Sequence, residues 1–431
     1  MRRVRSIDDV VRRQMCLGCG ACAYVSPDEI RMADVPELGR RPVLAPSFGA
    51  DPRSREALRV CPGAELAHPP EVTRGRAYLH ELMAGWGPVI ALWEGFATDP
   101  EIRFRGSSGG AATALALYCL ERGGMHGVLH TAPRKDAPYL LETVLSHDRA
   151  GLLAGVGSRY APASPCDGLQ RIEEAAGPCV FVGKPCDAAG AARAASLRPA
   201  LAKRLGVRIA LFCAGTPSTN GTLEMLRKMG INDLAAVRSV RYRGHGWPGR
   251  ATVRFERDGA VQEASLSYGE SWGDILQRHR PWRCYVCADH TGEFADIAVG
   301  DPWYREIPAA DAGQSLVLAR TERGRRIIEG AIAAGYLELK PAEAWVLPAS
   351  QPNLLSTRGA IFARIWVSWL LGAAAPRYRG LPQLRFWLSQ LSLKEKAQSI
   401  YGTVKRVFTR HLYRRIDYTP SEPGAGERRK P

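Results

Sequence analysis

Three cysteines stand at even spacing near the start of the chain, Cys16-x2-Cys19-x2-Cys22. Thiolates are soft ligands, and three from one short loop can reach three irons of a cubane cluster. Gly18 and Gly20 fall between them, where the backbone must curve tightly. In bacterial ferredoxin loops the run continues with C-x3-C-P, and that last cysteine serves a second cluster. Here the place is taken by Ser26-Pro27, so the loop is expected to hold a single cluster. Its fourth ligand is expected from Cys61, which repeats the Cys-Pro dipeptide with Pro62. The competing chemistry is zinc, but zinc sites of four cysteines usually come as two separated C-x2-C knuckles.

A second group is more scattered. Cys284 and Cys287 form a C-x2-C pair in RPWRCYVCADHT, which alone fits a redox, zinc or structural role. Cys186 in VFVGKPCDAAG and Cys213 in IALFCAG follow strand-like runs. Strand ends in α/β domains converge on a rim where ligands bind. Cys186, Cys213, Cys284 and Cys287 are therefore the expected ligands of a second cluster. The alternative is that Cys186 or Cys213 is a buried, inert thiol. Cys119, Cys166 and Cys179 have no partner at ligand spacing, and Cys119 is expected in the core of a helix packing.

Glycine-rich chain marks a further candidate. Gly106, Ser107, Ser108, Gly109 and Gly110 precede the helical run AATALALYCLERG. Amides at a helix N-terminus favour anions, and glycines let a phosphate or flat ring approach the chain. The segment lacks the Walker Lys-Ser/Thr end and the G-x-G-x-x-G fingerprint, and an N-capped structural helix is the plainer alternative. Lys184 stands beside Cys186, where a cation can stabilise a reduced flavin or offset cluster charge. Asp301 ends the run ADIAVGD, placed for a ribityl or ribose hydroxyl or for a helix cap. VGSRYAPASP reads as a polar loop with an exposed Arg159-Tyr160 pair.

Three regions must position these residues. The first, residues 1–80, holds the clustered cysteines between Pro-rich spacers. The second, residues 85–345, alternates strand-like runs (PVIALWEGFA, GVLHTA, CVFVG, RIALFC, ATVRFER, DIAVGD) with helical ones. The third, residues 350–431, suggests helices at 359–375 and 391–413 and ends in a polar, Pro/Gly-rich tail expected to be disordered. The expected fold class is mixed α/β: a small ferredoxin-like cluster domain, a mixed-sheet domain and a helical basic extension. The chain of 431 residues is long enough for two or three units and a sizeable core. Its eleven cysteines are odd in number, and no apolar leader follows the first basic residues, so a reducing cytoplasm is expected. Residues 361–375 are too short for the roughly 20 residues of a membrane span and include Arg364. The formal net charge of +16 is either compositional or marks a surface for an acidic partner, a phosphate-bearing cofactor or a membrane face.

In this order, RGSSGGAATALALYCLERGG, YAPASP, FVGKPCDAAG, LFCAG, YRGHGWPG, RPWRCYVCADHT and ADIAVGDPW resemble the coenzyme F420 hydrogenase/dehydrogenase beta-subunit family. The resemblance runs over residues 10–345. It extends to relatives of the 7-hydroxymethyl chlorophyll a reductase and 8-vinyl reductase kinds. It implies an iron–sulfur flavoprotein: FAD in the mixed domain and one or two 4Fe–4S clusters within electron-transfer reach. By motif, Ser107, Ser108, Gly109 and Gly110 are the implied flavin contacts, with Tyr160, Lys184 and Asp301 beside them.

Two readings of function follow. The first is an oxidoreductase that takes electrons from a ferredoxin-like donor through 4Fe–4S clusters to FAD and on to a small-molecule substrate. The second is an electron-transfer subunit docked on a catalytic partner subunit and exchanging electrons with a soluble (deaza)flavin or nicotinamide carrier. Either allows a homo-oligomer. A zinc-bound nucleic-acid-binding protein is disfavoured, because finger spacing, a recognition helix and interleaved aromatics are all missing.

Overall fold

The computed structural model describes residues 4–49, 53–73, 77–306, 308 and 311–420. Its centre is an eight-stranded mixed sheet. The strand order is Leu337–Pro341, Ala91–Ala97, Ser315–Ala319, Ile297–Gly300, Leu205–Leu211, Cys179–Gly183, Gly127–Pro133 and Leu141–Ser146. The four strands from Ile297–Gly300 to Gly127–Pro133 are mutually parallel, and antiparallel strands flank them on both sides. Ile297–Gly300 and Ser315–Ala319 are buried at every residue, as strands covered on both faces must be.

The strand-like runs in the sequence form strands, but not all in one sheet. ATVRFER becomes Ala251–Arg257, the middle of a separate three-stranded sheet with Val237–Arg241 and Ala260–Leu266. AATALALYCLERG forms the helix Ala111–Glu121, whose Leu115, Leu117 and Cys119 pack on one face of the main sheet with Ile328 of helix Glu322–Ala333. The carboxyl ends of the parallel strands share one rim, and from it the chain leads into Lys184, Phe212 and Asp301.

One hydrophobic core runs through all three regions. Ile7, Val25 and Val60 from the first share it with Phe181 and Trp282 from the second and with Ala373 and Val407 from the third. Strand Arg377–Arg379 pairs in parallel with Glu65–Ala67, which binds the last region to the first through the backbone. Among the described residues, no helix is long and apolar enough to cross a membrane.

A buried ionic junction reinforces this closure. Arg358, on helix Leu354–Leu370, meets the Glu293 carboxylate at 2.6 Å, and His68 meets its other oxygen at 2.8 Å. Arg358 also donates to the Gly85 carbonyl at 2.8 Å. Burial works against the Glu293 charge, but Arg358, His68 and Arg320 more than offset it and hold the carboxyl down at about 2. Such a carboxylate adds stability that is complete above its ordinary value of 4.5 and is lost as pH falls from there towards about 2. Glu293→Gln leaves Arg358 buried without its counter-charge and should cost about 3–5 kcal/mol at pH 7. Urea titrations should show the gap between variant and parent narrowing as pH drops below about 4. An equal gap at pH 7 and pH 3 would mean the carboxylate charge is not what matters.

Candidate functional site

The first cysteine group is assembled by close backbone approach. Gly18 and Gly20 take the left-handed φ values of +74° and +89° inside the loop. A Cβ on Gly20 would stand 2.7 Å from the Asp167 amide nitrogen. Gly63 has no such φ, but a Cβ there would collide with the Met15 carbonyl, so the Cys61 turn lies directly on the chain leading to Cys16. The thiols of Cys16, Cys19, Cys22 and Cys61 are at most 9% exposed. Burial, then the nearby Cys19, Cys16 and Cys61, push Cys22 well above the ordinary thiol range. Burial, then Cys19 and Cys16, lift Cys61 to about 12. The Gly18 amide donates to the Cys16 sulfur at 3.3 Å, and the charges of Arg41 and Arg193 reach Cys16 and Cys61 respectively.

The second group also converges. Cys186 opens helix Pro185–Leu197, Cys213 follows strand Leu205–Leu211, and Cys284 and Cys287 lie in and just beyond helix Trp282–Tyr285. All four line one hollow, together with Asp289 and His290. The Gly215 amide donates to the Cys213 sulfur at 3.3 Å. Burial lifts Cys213 to about 12, with Cys284 adding to it, and lifts Cys287 to about 11. Arg283 is wholly buried between the groups. Its guanidinium donates to the Pro62 and Gly63 carbonyls at 3.0 and 3.1 Å, beside Cys61, while its charge acts on Cys287, Cys284 and Cys186. Among the described residues, no three His, Cys, Asp or Glu side chains gather tightly enough for a single metal ion.

Cys166 has no partner at ligand spacing in the sequence, but in the fold its amide donates to the Cys19 carbonyl at 2.9 Å and its thiol donates to the Asp187 carbonyl at 3.2 Å. The same thiol adjoins the Cys19 sulfur and lowers Cys19 relative to an ordinary thiol. No spacing signal marks it, because the two cysteines lie far apart in the sequence. Cys119 and Cys179 are buried in the core, Cys119 as expected of its helix.

Six of the seven flavin candidates line one cleft of about 230 Å³: Ser107, Ser108, Gly110, Tyr160, Lys184 and Asp301. Gly109 does not. It takes φ +65° and packs on Gln314, 2.8 Å from where its Cβ would be, so its role is to fold the loop. Asp301 is already engaged, by Arg243 at 2.9 and 2.5 Å and by the Trp247 indole at 2.7 Å. Arg243, buried beneath the Tyr268 and Trp303 rings, is a cleft residue that the sequence reading missed, although its loop YRGHGWPG was noted. Arg159 is not exposed, as its polar loop suggested. Its guanidinium donates to the Val240 and Val156 carbonyls, its Nε is buried without a partner, and burial lowers its pKa.

Lys184 and Asp187 stand between the cleft and the cysteines. The Asp187 carboxylate, fully buried, accepts from the Lys184 ammonium at 2.7 Å and from its amide at 2.9 Å. Burial opposes the Lys184 charge, but Asp187 and then Cys186 outweigh it and keep the lysine protonated.

The closeness of the Cys61 turn to Met15 can be tested by volume. Gly63→Ala should force the two segments apart and cost about 1–3 kcal/mol. Gly273→Ala, with open space around its Cβ, should change stability by less than about 0.5 kcal/mol. Equal urea midpoints for the two variants would show that the Cys61 turn is not tightly seated.

Two family models match the chain, one for each half of the coenzyme F420 hydrogenase/dehydrogenase beta subunit. The N-terminal model spans residues 92–170, and the C-terminal model spans residues 178–344. The coenzyme F420 hydrogenase subunit beta of Methanosarcina barkeri is 27% identical over 263 residues, which is 60% of this chain and 84% of that protein. The F420-dependent formate dehydrogenase 1 subunit beta of Methanococcus maripaludis is 26% identical over 252 residues, 57% of this chain and 60% of that one. A solved chain of the F420-reducing [NiFe] hydrogenase complex from Methanosarcina barkeri shares the fold, with a TM-score of 0.50 and 23% identity over 64% of this chain and 92% of its own. The cleft and the second cysteine group fall inside the matched segments, whereas the first cysteine group and everything after residue 344 fall outside them. With both halves of the family pattern present in order and spanning more than half the sequence, the chain belongs to the coenzyme F420 hydrogenase/dehydrogenase beta-subunit family of oxidoreductases.

Proposed function

We propose that the chain passes electrons between a ferredoxin-like donor and a small-molecule substrate or carrier, using two 4Fe–4S clusters and one FAD. The observation that carries this reading is the row of two cysteine groups, the first buried and the second half-buried, and one cleft, joined at Lys184 and Asp187. In this reading residues 1–80 and the second cysteine group hold clusters, residues 85–345 hold the flavin, and residues 350–431 form an extension. When bound, the clusters would carry single electrons and the flavin would take or give two.

The residues fit these groups. Each cysteine group has buried cations close by, Arg41 and Arg193 for the first and Lys184 and Arg283 for the second, as an anionic thiolate cluster needs. Backbone amides already donate to Cys16 and Cys213 sulfurs. For the flavin, Arg159 offers a buried cation with an unpartnered Nε, and the helix Ala111–Glu121 points its N-terminus at the same cleft. Both suit a pyrophosphate. The chain's own part is to hold these partners, to keep Lys184 protonated beside them, and to exclude water from the thiols.

A second reading has a specific support. The relatives named above are beta subunits, and the match covers 84% of the hydrogenase subunit. The chain would then dock on a catalytic partner subunit and exchange electrons with a soluble deazaflavin or nicotinamide carrier.

Anaerobically purified protein should be brown, with about eight irons per chain and one releasable FAD. Cys61→Ala and Cys284→Ala should each remove about half the iron. Arg159→Ala should weaken FAD retention while leaving iron unchanged. Colourless protein containing zinc would overturn the proposal. Turnover only in the presence of a co-purifying catalytic subunit would favour the second reading.

A further inference from the structure

The helices after residue 350 are arranged in a way that water does not favour. Helix Leu393–Thr409 buries Ser399, Thr403 and Val407 but turns Leu393, Ile400 and Tyr401 outward, at 84%, 42% and 72% exposure. Helix Leu354–Leu370 buries Arg358 and Ile361 with the small residues Gly359, Ala360, Ala363 and Ser368, but exposes Trp366, Trp369 and Leu370. The Ser368 hydroxyl is buried without a partner among the described residues. An amphipathic helix of a water-soluble domain does the opposite, with bulky apolar groups inside and polar ones outside. Small residues between helices and large apolar ones on the outer face are the pattern of helices that meet hydrocarbon. Among the described residues, nine of the thirteen large apolar side chains most open to water belong to residues 354–409.

These faces adjoin. Phe362 lies 6.1 Å from the Trp366 ring and 5.5 Å from Trp387, and the Lys396 ammonium sits 5.3 Å over Trp387. A shallow groove of about 440 Å³ opens beside them, lined by Trp366, Leu384 and Arg385. The charge is as uneven as the hydrophobicity. Residues 350–420 contain twelve Lys and Arg against only Glu395 and Asp417, so this stretch supplies most of the net +16. On helix Leu393–Thr409, Lys394, Lys396 and Lys405 border the outward apolar stripe.

We propose that this face lies on an anionic lipid surface. The apolar side chains would enter the interface, Trp366 and Trp369 would sit at headgroup level, and the lysines and arginines would meet lipid phosphates. Among the described residues no helix is long and apolar enough to cross a bilayer, so the contact proposed is a peripheral one. The exposed positive charge of Arg385, Lys394 and Lys405 is spread over the face rather than gathered at one pocket, which matches a plane of phosphates better than a single acidic patch on a protein. The face lies beyond the segments matched by the family models, so it is additional to the shared electron-transfer fold.

The test is flotation of the purified full-length protein with vesicles. Phosphatidylcholine vesicles and phosphatidylcholine vesicles containing phosphatidylglycerol would be compared at low and high salt. At low salt, about tenfold more protein should float with the anionic vesicles, and high salt should erase the difference. Trp369→Glu with Leu370→Glu should abolish flotation. Lys394→Glu with Lys405→Glu should reduce it about tenfold while leaving the apolar face intact. All four positions face solvent, and unchanged far-UV circular dichroism would verify that the variants fold. No flotation of the parent, or flotation indifferent to both variants, would overturn the proposal. So would a parent that ignores vesicles but self-associates, or binds an acidic protein, through Trp369 and Leu370.

Discussion

An ion pair at the start of one helix, with its carboxylate wholly buried and its ammonium largely so, is the constraint on which the centre of this molecule depends. Asp187 closes the first turn of helix Pro185–Leu197 and holds the Lys184 ammonium and amide together. A carboxylate in the first turn also complements the helix dipole. From this point Lys184 faces the cleft, Cys186 faces the second cysteine group, and the Asp187 carbonyl takes the Cys166 thiol that adjoins Cys19. Three candidate sites thus take their relative positions from one helix end, and a buried carboxylate tolerates no loose geometry in its counter-charge.

Charge compensation is the second theme. Thiols of both groups are drawn into a space where burial raises the cost of their charge, as the upward shifts of Cys61, Cys213 and Cys287 record. Around them lie Arg41, Arg193, Lys184 and Arg283, and Arg283 is tied by its hydrogen bonds to the turn that carries Cys61. The same guanidinium therefore serves the electrostatics of both groups and the packing of one against the other. Glycine supplies the remaining freedom, since at Gly63 a side chain would separate the two segments that bring Cys61 to Cys16.

The C-terminal helices are bound to this body and yet unlike it. Arg358 and Glu293, with the parallel pairing of Arg377–Arg379 to Glu65–Ala67, make them part of one folded unit. Their inner faces use small residues to approach closely, and their outer faces carry the aromatic and aliphatic bulk that a core normally absorbs. Exposed apolar surface concentrated in this way marks an interaction site.

The sequence by itself determined what is local. Cysteine spacing set the loop at Cys16 to Cys22, apolar runs set most strands of the central sheet, and the glycine run before Ala111 set a helix start. These depend on neighbours a few residues apart, which periodicity and turn chemistry report directly. Only the tertiary structure decided that Cys166 would sit against Cys19. It also decided that Arg159 would be buried rather than exposed, and that Arg243 would occupy Asp301. Each of these contacts spans many residues of chain and depends on strand order and on which side of a helix a neighbour covers. The inverted faces of helices Leu354–Leu370 and Leu393–Thr409 belong to the same class. An apolar stripe has the same period whichever way it faces, and only the packing shows that here it faces out.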